Sequence, residues 1–211
     1  MPIDSALLAD LDVALDESTL WRVEFDPESR VAIVMLTVLL LPVGDGPAEA
    51  RPVCLILRPV GRLAASLRHG SWDDREAHVE GLELDDLPRV FDRLGGQSIY
   101  GGTFFNVPEV RPGVFDRPNG FALWSDRLSV DWMAPRADGQ THTLLLFQEG
   151  AEGDQLRHLD VQLWFDELEA RTVNGDGIRI DDLVSGARRW WRALFEGDAR
   201  TQRAISLEPP A

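Results

Sequence analysis

The feature that most constrains this chain is a two-residue apolar alternation that keeps returning, bounded each time by turn-forming residues. Trp21, Val23 and Phe25 alternate with Arg22 and Glu24, and successive side chains of a strand point to opposite faces. Asp26-Pro27-Glu28-Ser29 predicts a turn, since proline presets φ and aspartate bonds back to the backbone. Val31 to Leu41 follows as a long strand, apolar on both faces and so expected to be central in a sheet. Gly44-Asp45-Gly46-Pro47 interrupts it, and Arg51 to Leu57 returns as the second arm of an antiparallel hairpin. Val60 to Leu67 is a weaker strand, and Ala77 to Leu84 alternates again. Gln97 to Tyr100 and Thr103 to Phe105 read as one strand broken by a bulge at Gly101-Gly102. Leu128 to Trp132, Thr141 to Gln148 and His158 to Phe165 are further strands. Leu168 to Val173 and Ile178 to Ile180 flank Asn174-Gly175-Asp176-Gly177, a hairpin signal.

Helical spacing is expected at three places. Asp4 or Ser5 caps a helix through Leu15, with Leu7, Leu8, Leu11 and Leu15 on one face. Asp85-Asp86-Leu87-Pro88 opens a short helix to Leu94, closed by Gly95-Gly96. Asp181 caps a helix from Asp182 to Glu196, with Gly197 as the stop. Its apolar stripe is Leu183, Ala187, Trp190 or Trp191, and Leu194, with Arg188, Arg189 and Arg192 outside it. Roughly ten strands, without the regular strand–helix alternation of a parallel sheet, predict an α+β fold. That fold is mainly antiparallel β-sheet with a C-terminal helix packed on one face. The expected organisation is an N-terminal helix over 1–19, a single β-rich domain over 20–197 and a flexible tail over 198–211. The proline-rich loop at 107–120 is where the sheet would divide into two sub-sheets.

Charge narrows the function. The net charge is −15, and all 21 basic residues are arginine. Without lysine there is no Schiff-base chemistry and no P-loop lysine for a nucleotide phosphate. An acidic surface repels nucleic acid and anionic membrane, so the expected partner is a basic protein. Cys54 is the sole cysteine, which excludes an intrachain disulfide and a cysteine-based zinc site. Inside Val53-Cys54-Leu55-Ile56-Leu57 it reads as a buried, inert thiol. The apolar run from Val31 to Val43 is too short for a membrane-spanning helix. Met1-Pro2-Ile3-Asp4 lacks the basic-then-apolar pattern of an export signal, which predicts a cytoplasmic protein.

The glycine-rich run Gly95-Gly96-Gln97-Ser98-Ile99-Tyr100-Gly101-Gly102 follows a helix and enters a strand. A phosphate loop has the reverse order, and Ser98 lacks the nucleophile-elbow spacing. Turn and bulge glycines account for it. Two His-x-acid pairs, His78-Val79-Glu80 and His158-Leu159-Asp160, each place an imidazole and a carboxylate on one face of a strand. On neighbouring strands the four would make a Zn, Mn or Fe site. Otherwise they are chance pairs among four histidines, and no cofactor is needed. Asn174-x-Asp176 fails as a calcium loop because Ile178 stands where an oxygen ligand belongs. Trp132, Trp164 and Trp190 or Trp191 are expected in the core. Trp72 and Trp124 adjoin polar turns and are the candidate partner anchors, with Asp73 and Asp74 beside the first.

Leu20-Trp21, the first hairpin, Ser98-Ile99-Tyr100-Gly101 to Phe105, His142-Thr143-Leu144, and Leu159-Asp160-Val161 to Trp164-Phe165 fall in an order that resembles small β-rich immunity-type proteins of bacterial toxin–immunity systems. The resemblance touches about half the chain and carries over no functional residue. It implies an acidic protein that neutralises a basic toxin by occluding its site. Three readings follow: a non-enzymatic binding protein of this kind, a metal-dependent enzyme using His78, Glu80, His158 and Asp160, or a structural subunit of a larger assembly.

Overall fold

The computed structural model describes residues 3–16, 18–71, 74, 76–94, 100–105, 127–135, 141–152 and 154–201. Among these residues three helices, α1 (Ser5–Leu15), α2 (Leu87–Leu94) and α3 (Ile180–Phe195), accompany nine strands. These are β1 (Thr19–Asp26), β2 (Val31–Leu40), β3 (Glu49–His69), β4 (His78–Glu80), β5 (Tyr100–Phe105), β6 (Val130–Met133), β7 (His142–Glu152), β8 (Gln155–Arg171) and β9 (Gly177–Ile178). The main path of the sheet is β1-β2-β3-β8-β7-β5, and every pair is antiparallel. The fold is α+β, mainly antiparallel, with α3 packed against the sheet at β2. The strands on either side of 107–120, β5 and β6, belong to this one sheet.

Two long strands form its spine. β3 pairs β2 along its first half and β6 and β4 along its second, while its other edge follows β8 from Cys54 to His69. The expected separate strand at Val60 to Leu67 is therefore a continuation of the strand before it. Pro59 has no N–H to give a ladder, and the register with β8 shifts between Val60 and Arg62. Val60 N–H is satisfied instead by Arg30 O at 2.8 Å. The expected breaks between His158–Phe165 and Leu168–Val173, and at Gly101-Gly102, are likewise absent. β8 runs through without interruption, and β5 pairs β7 residue for residue from Tyr100 to Phe105.

The sheet curves until β1 approaches β5 and β7 at its far edge. The enclosed face carries Val34, Leu36, Leu55, Leu57, Leu63, Leu67, Leu144, Leu146, Val161 and Leu163, all sealed from water. Leu11 and Leu15 of α1 and Val90, Phe91 and Leu94 of α2 complete this core. Asp4 caps α1, its Oδ1 accepting from Leu7 N–H at 2.8 Å. The N-cap of α3 is Arg179 rather than Asp181, which stands with Asp182 in the first turn, where carboxylates oppose the positive helix end. Around the end of α3, Trp190 is buried with Leu41 and Ala193. Residues 198–201, assigned to the tail by sequence, are tied back here: Arg200 donates to Gly44 O at 2.7 Å, and Thr201 is buried.

Candidate functional site

β3 and β8 also bury polar side chains on the face away from the apolar core. On β8 that face carries His158, Asp160 and Gln162; on β3 it carries Ser66 and Arg68. All five are 0% exposed. The register sets Arg68 beside His158 and Ser66 beside Asp160, and on the other flank it sets Glu149 of β7 beside His158 and Phe147 beside Asp160.

The side chains form a row of alternating charge. Asp160 Oδ2 accepts from Arg68 Nη2 at 3.1 Å, and Asp160 Oδ1 lies 2.9 Å from His158 Nε2. His158 Nδ1 lies 3.8 Å from Glu149 Oε2, at ion-pair range. Phe147 stacks on the imidazole, with centroids 6.0 Å apart. Burial disfavours the imidazolium, but the Asp160 charge and hydrogen bond, aided by Glu149, outweigh it and hold His158 above the ordinary imidazole range. Beyond the row, Ser66 Oγ and both amide atoms of Gln162 are buried, with no hydrogen-bond partner among the described residues. Arg68 also reaches out of the interior: its Nη1 donates to Asp74 O at 3.1 Å. Asp74 is exposed, and its Oδ1 accepts from Glu76 N–H at 3.0 Å.

The four residues expected to share a metal are not brought together. His78 and Glu80 of β4 stand beside His69 and Leu67 of β3, whereas His158 and Asp160 stand beside Arg68 and Ser66. Adjacent residues of a strand face opposite ways, so β3 separates the two pairs onto opposite faces. On the first face Glu80 Oε2 is engaged by His69 Nε2 at 3.0 Å, and His69 and His78 meet edge to face at 5.1 Å. On the second, the guanidinium of Arg68 occupies the carboxylate a metal would need. Among the described residues no group of three His, Cys, Asp or Glu side chains is placed to hold a metal ion.

Of the expected partner anchors, Trp72, Asp73 and Trp124 lie outside the described residues, as does Gly95 to Ile99; Asp74 is described and exposed. Trp132 and Trp164 are half-buried rather than core. Trp132 packs edge to face on Phe25 at 4.7 Å, and Trp164 lies under the Arg62 guanidinium at the same distance. Cys54 is half-buried, and burial together with the Glu24 charge raises its thiol pKa, which keeps it unreactive. Arg68, Glu149, Ser66 and Gln162 went unread. The signal was the polar alternation itself: His158, Asp160 and Gln162 against Leu159, Val161 and Leu163 looks like a solvated face, and here that face is buried.

Elsewhere, an open groove of about 390 Å³ lies between the far half of β8 and the start of α3. Glu167, Glu169, Asp181, Arg58 and Arg179 stand around it, so its rim carries both signs of charge. No helix among the described residues is long and apolar enough to cross a membrane. Comparison with family models, with curated proteins and with solved structures finds no match to this chain.

Proposed function

We propose that this protein is a non-enzymatic binding domain, immunity-like in kind, whose acidic surface receives a basic protein partner. The observation that supports the reading is how the arginines are used. Arg22 pairs with Glu24, Arg51 with Glu49, Arg62 with Asp131, Arg171 with Glu169 and Arg200 with Asp198, each within 3.0 Å. Arg188 pairs with Asp10, while Arg30 and Arg189 donate to backbone carbonyls. Arg68 is buried in the row described above. These arginines are thus engaged locally, and with a net charge of −15 the acidic excess is left to act at long range.

Glu28, Asp45, Glu83, Asp85, Asp176 and Asp181 are among the exposed carboxylates. A surface of one sign speeds encounter with an opposite one, while a few desolvated anchors supply affinity. The test is capture from the source cell at low salt, then kinetics with the captured protein. A basic partner whose association slows steeply with salt, and whose dissociation hardly changes, is the expected result. Capture of only neutral or acidic proteins, or an association rate indifferent to salt, would overturn the reading.

A further inference from the structure

We infer that His69 and His78 form a two-imidazole clip for a divalent transition ion such as zinc or nickel, with Glu80 orienting the first ring. The register of the sheet makes the pair. His69, the last residue of β3, stands directly across from His78, the first of β4. Directly opposed residues of an antiparallel pair bring their side chains together on one face. The two ring centres are 5.1 Å apart. Imidazoles that share one tetrahedral zinc at about 2.1 Å have their centres about 5 Å apart. The rings therefore already stand at the spacing that a shared ion sets.

Glu80 adds what a mere contact of two surface rings would lack. It lies two residues along β4 from His78, on the same face, and its Oε2 is 3.0 Å from His69 Nε2. A carboxylate only accepts, so Nε2 carries the hydrogen and the neutral ring keeps its lone pair on Nδ1. Metal-bound histidines commonly donate their second N–H to a carboxylate in this way, which fixes the tautomer and the ring orientation. Arg93 of α2, 3.7 Å from Glu80 Oε1, holds the carboxylate from its other side. The side chains of His69 and Glu80 are each 32% exposed, so an ion can reach them. His78 is exposed and, among the described residues, makes no hydrogen bond or ion pair that would compete for its ring. The protein supplies two ligands and water the rest. Imidazole nitrogen selects zinc, nickel or copper over magnesium and calcium, whereas the acidic surface attracts every divalent cation alike.

The experiment titrates the full chain with zinc and with nickel, and with magnesium as the control. Binding is read by equilibrium dialysis, and the four histidine rings are followed by NMR in the zinc titration. The expected result is one zinc per chain, with the His69 and His78 signals moving together while those of the buried His142 and His158 stay still. Magnesium should move none of them. His69→Ala and His78→Ala should each lose the site. Glu80→Gln, which keeps an accepting oxygen but not the charge, should weaken it by about 10–100-fold, as loss of such a supporting carboxylate does. No binding at micromolar zinc, equal binding by His78→Ala and the parent, or a shift of only one of the two rings would overturn the clip. If His69→Ala does not fold, the ring shifts of the unmodified chain and the exposed His78→Ala variant decide the matter.

Discussion

Asp160 accepts from two cations while sealed from water, so substitutions on either side of it should not be equivalent. Asp160→Asn removes the buried carboxylate that Arg68 and His158 share, and breaking a buried pair in this way costs about 3–5 kcal/mol. Replacing both partners, as in Arg68→Met with Asp160→Leu, removes the guanidinium as well as the carboxylate. The double variant should therefore be more stable than the sum of the single losses implies. Urea unfolding of the two single variants and the double checks this. A single variant within about 0.5 kcal/mol of the parent, as at an ordinary surface site, would mean that the pair is solvated. His158 adds a pH sign. Its folded pKa is raised, so its contribution is complete below the ordinary imidazole value of about 6.5 and is lost as pH climbs through the raised one. The urea midpoint should fall over that alkaline interval in the parent and show no such fall in His158→Gln. At this scale the sequence is readable in pairs and silent on faces. That His158 and Asp160 share a face follows from their spacing. That Arg68 joins them while His78 and Glu80 lie behind the sheet depends on which strand pairs with which, and a one-residue change of register would have reversed it.

Strands and helices are where reading from residues succeeds most fully, and where it fails the reason is again pairing. The Asp4 cap, the turn after Asp26, the hairpin around Asn174-Gly175 and the three helices all rest on local chemistry, and each is found. The length of β3 was hidden because Pro59 normally ends a strand, yet here β8 carries the ladder past it. The bulge expected at Gly101-Gly102 was a local inference that a continuous partner in β7 overrides. Packing of α2 on β7 gives a test at this scale. A Cβ on Gly150 would lie 3.2 Å from Leu94 Cδ2 and 3.3 Å from Leu94 O, at the last turn of α2. The backbone contact cannot be relieved by a rotamer change, so Gly150→Ala should push α2 off the sheet and cost about 1–3 kcal/mol, the usual range for overpacking. Denaturant unfolding measures it. Unchanged stability would mean that α2 moves freely against β7. Asp4→Ala is the milder companion: loss of the cap to Leu7 N–H should cost about 1 kcal/mol and leave the sheet intact.

For the whole molecule the governing quantity is the net charge of −15, and it makes salt act with opposite signs on folding and on association. Like charges crowded onto one folded body repel one another, which disfavours the compact state. Salt screens exposed charges beyond about 8 Å at physiological ionic strength, so it relieves that repulsion. It also weakens the surface arginine pairs, but exposed pairs of this kind contribute only about 0–1 kcal/mol each. The row at Asp160 is buried and feels salt least. Repulsion should therefore dominate, and the melting temperature should rise as sodium chloride is added from low to physiological concentration. Association with a basic partner depends on the same unscreened field and should slow over the same range. Thermal melts and association kinetics in matched buffers test the pair of signs together. A melting temperature that falls with salt would show that arginine pairs outweigh the excess carboxylate, and the argument that positive charge is locally engaged and negative charge left over would then be wrong.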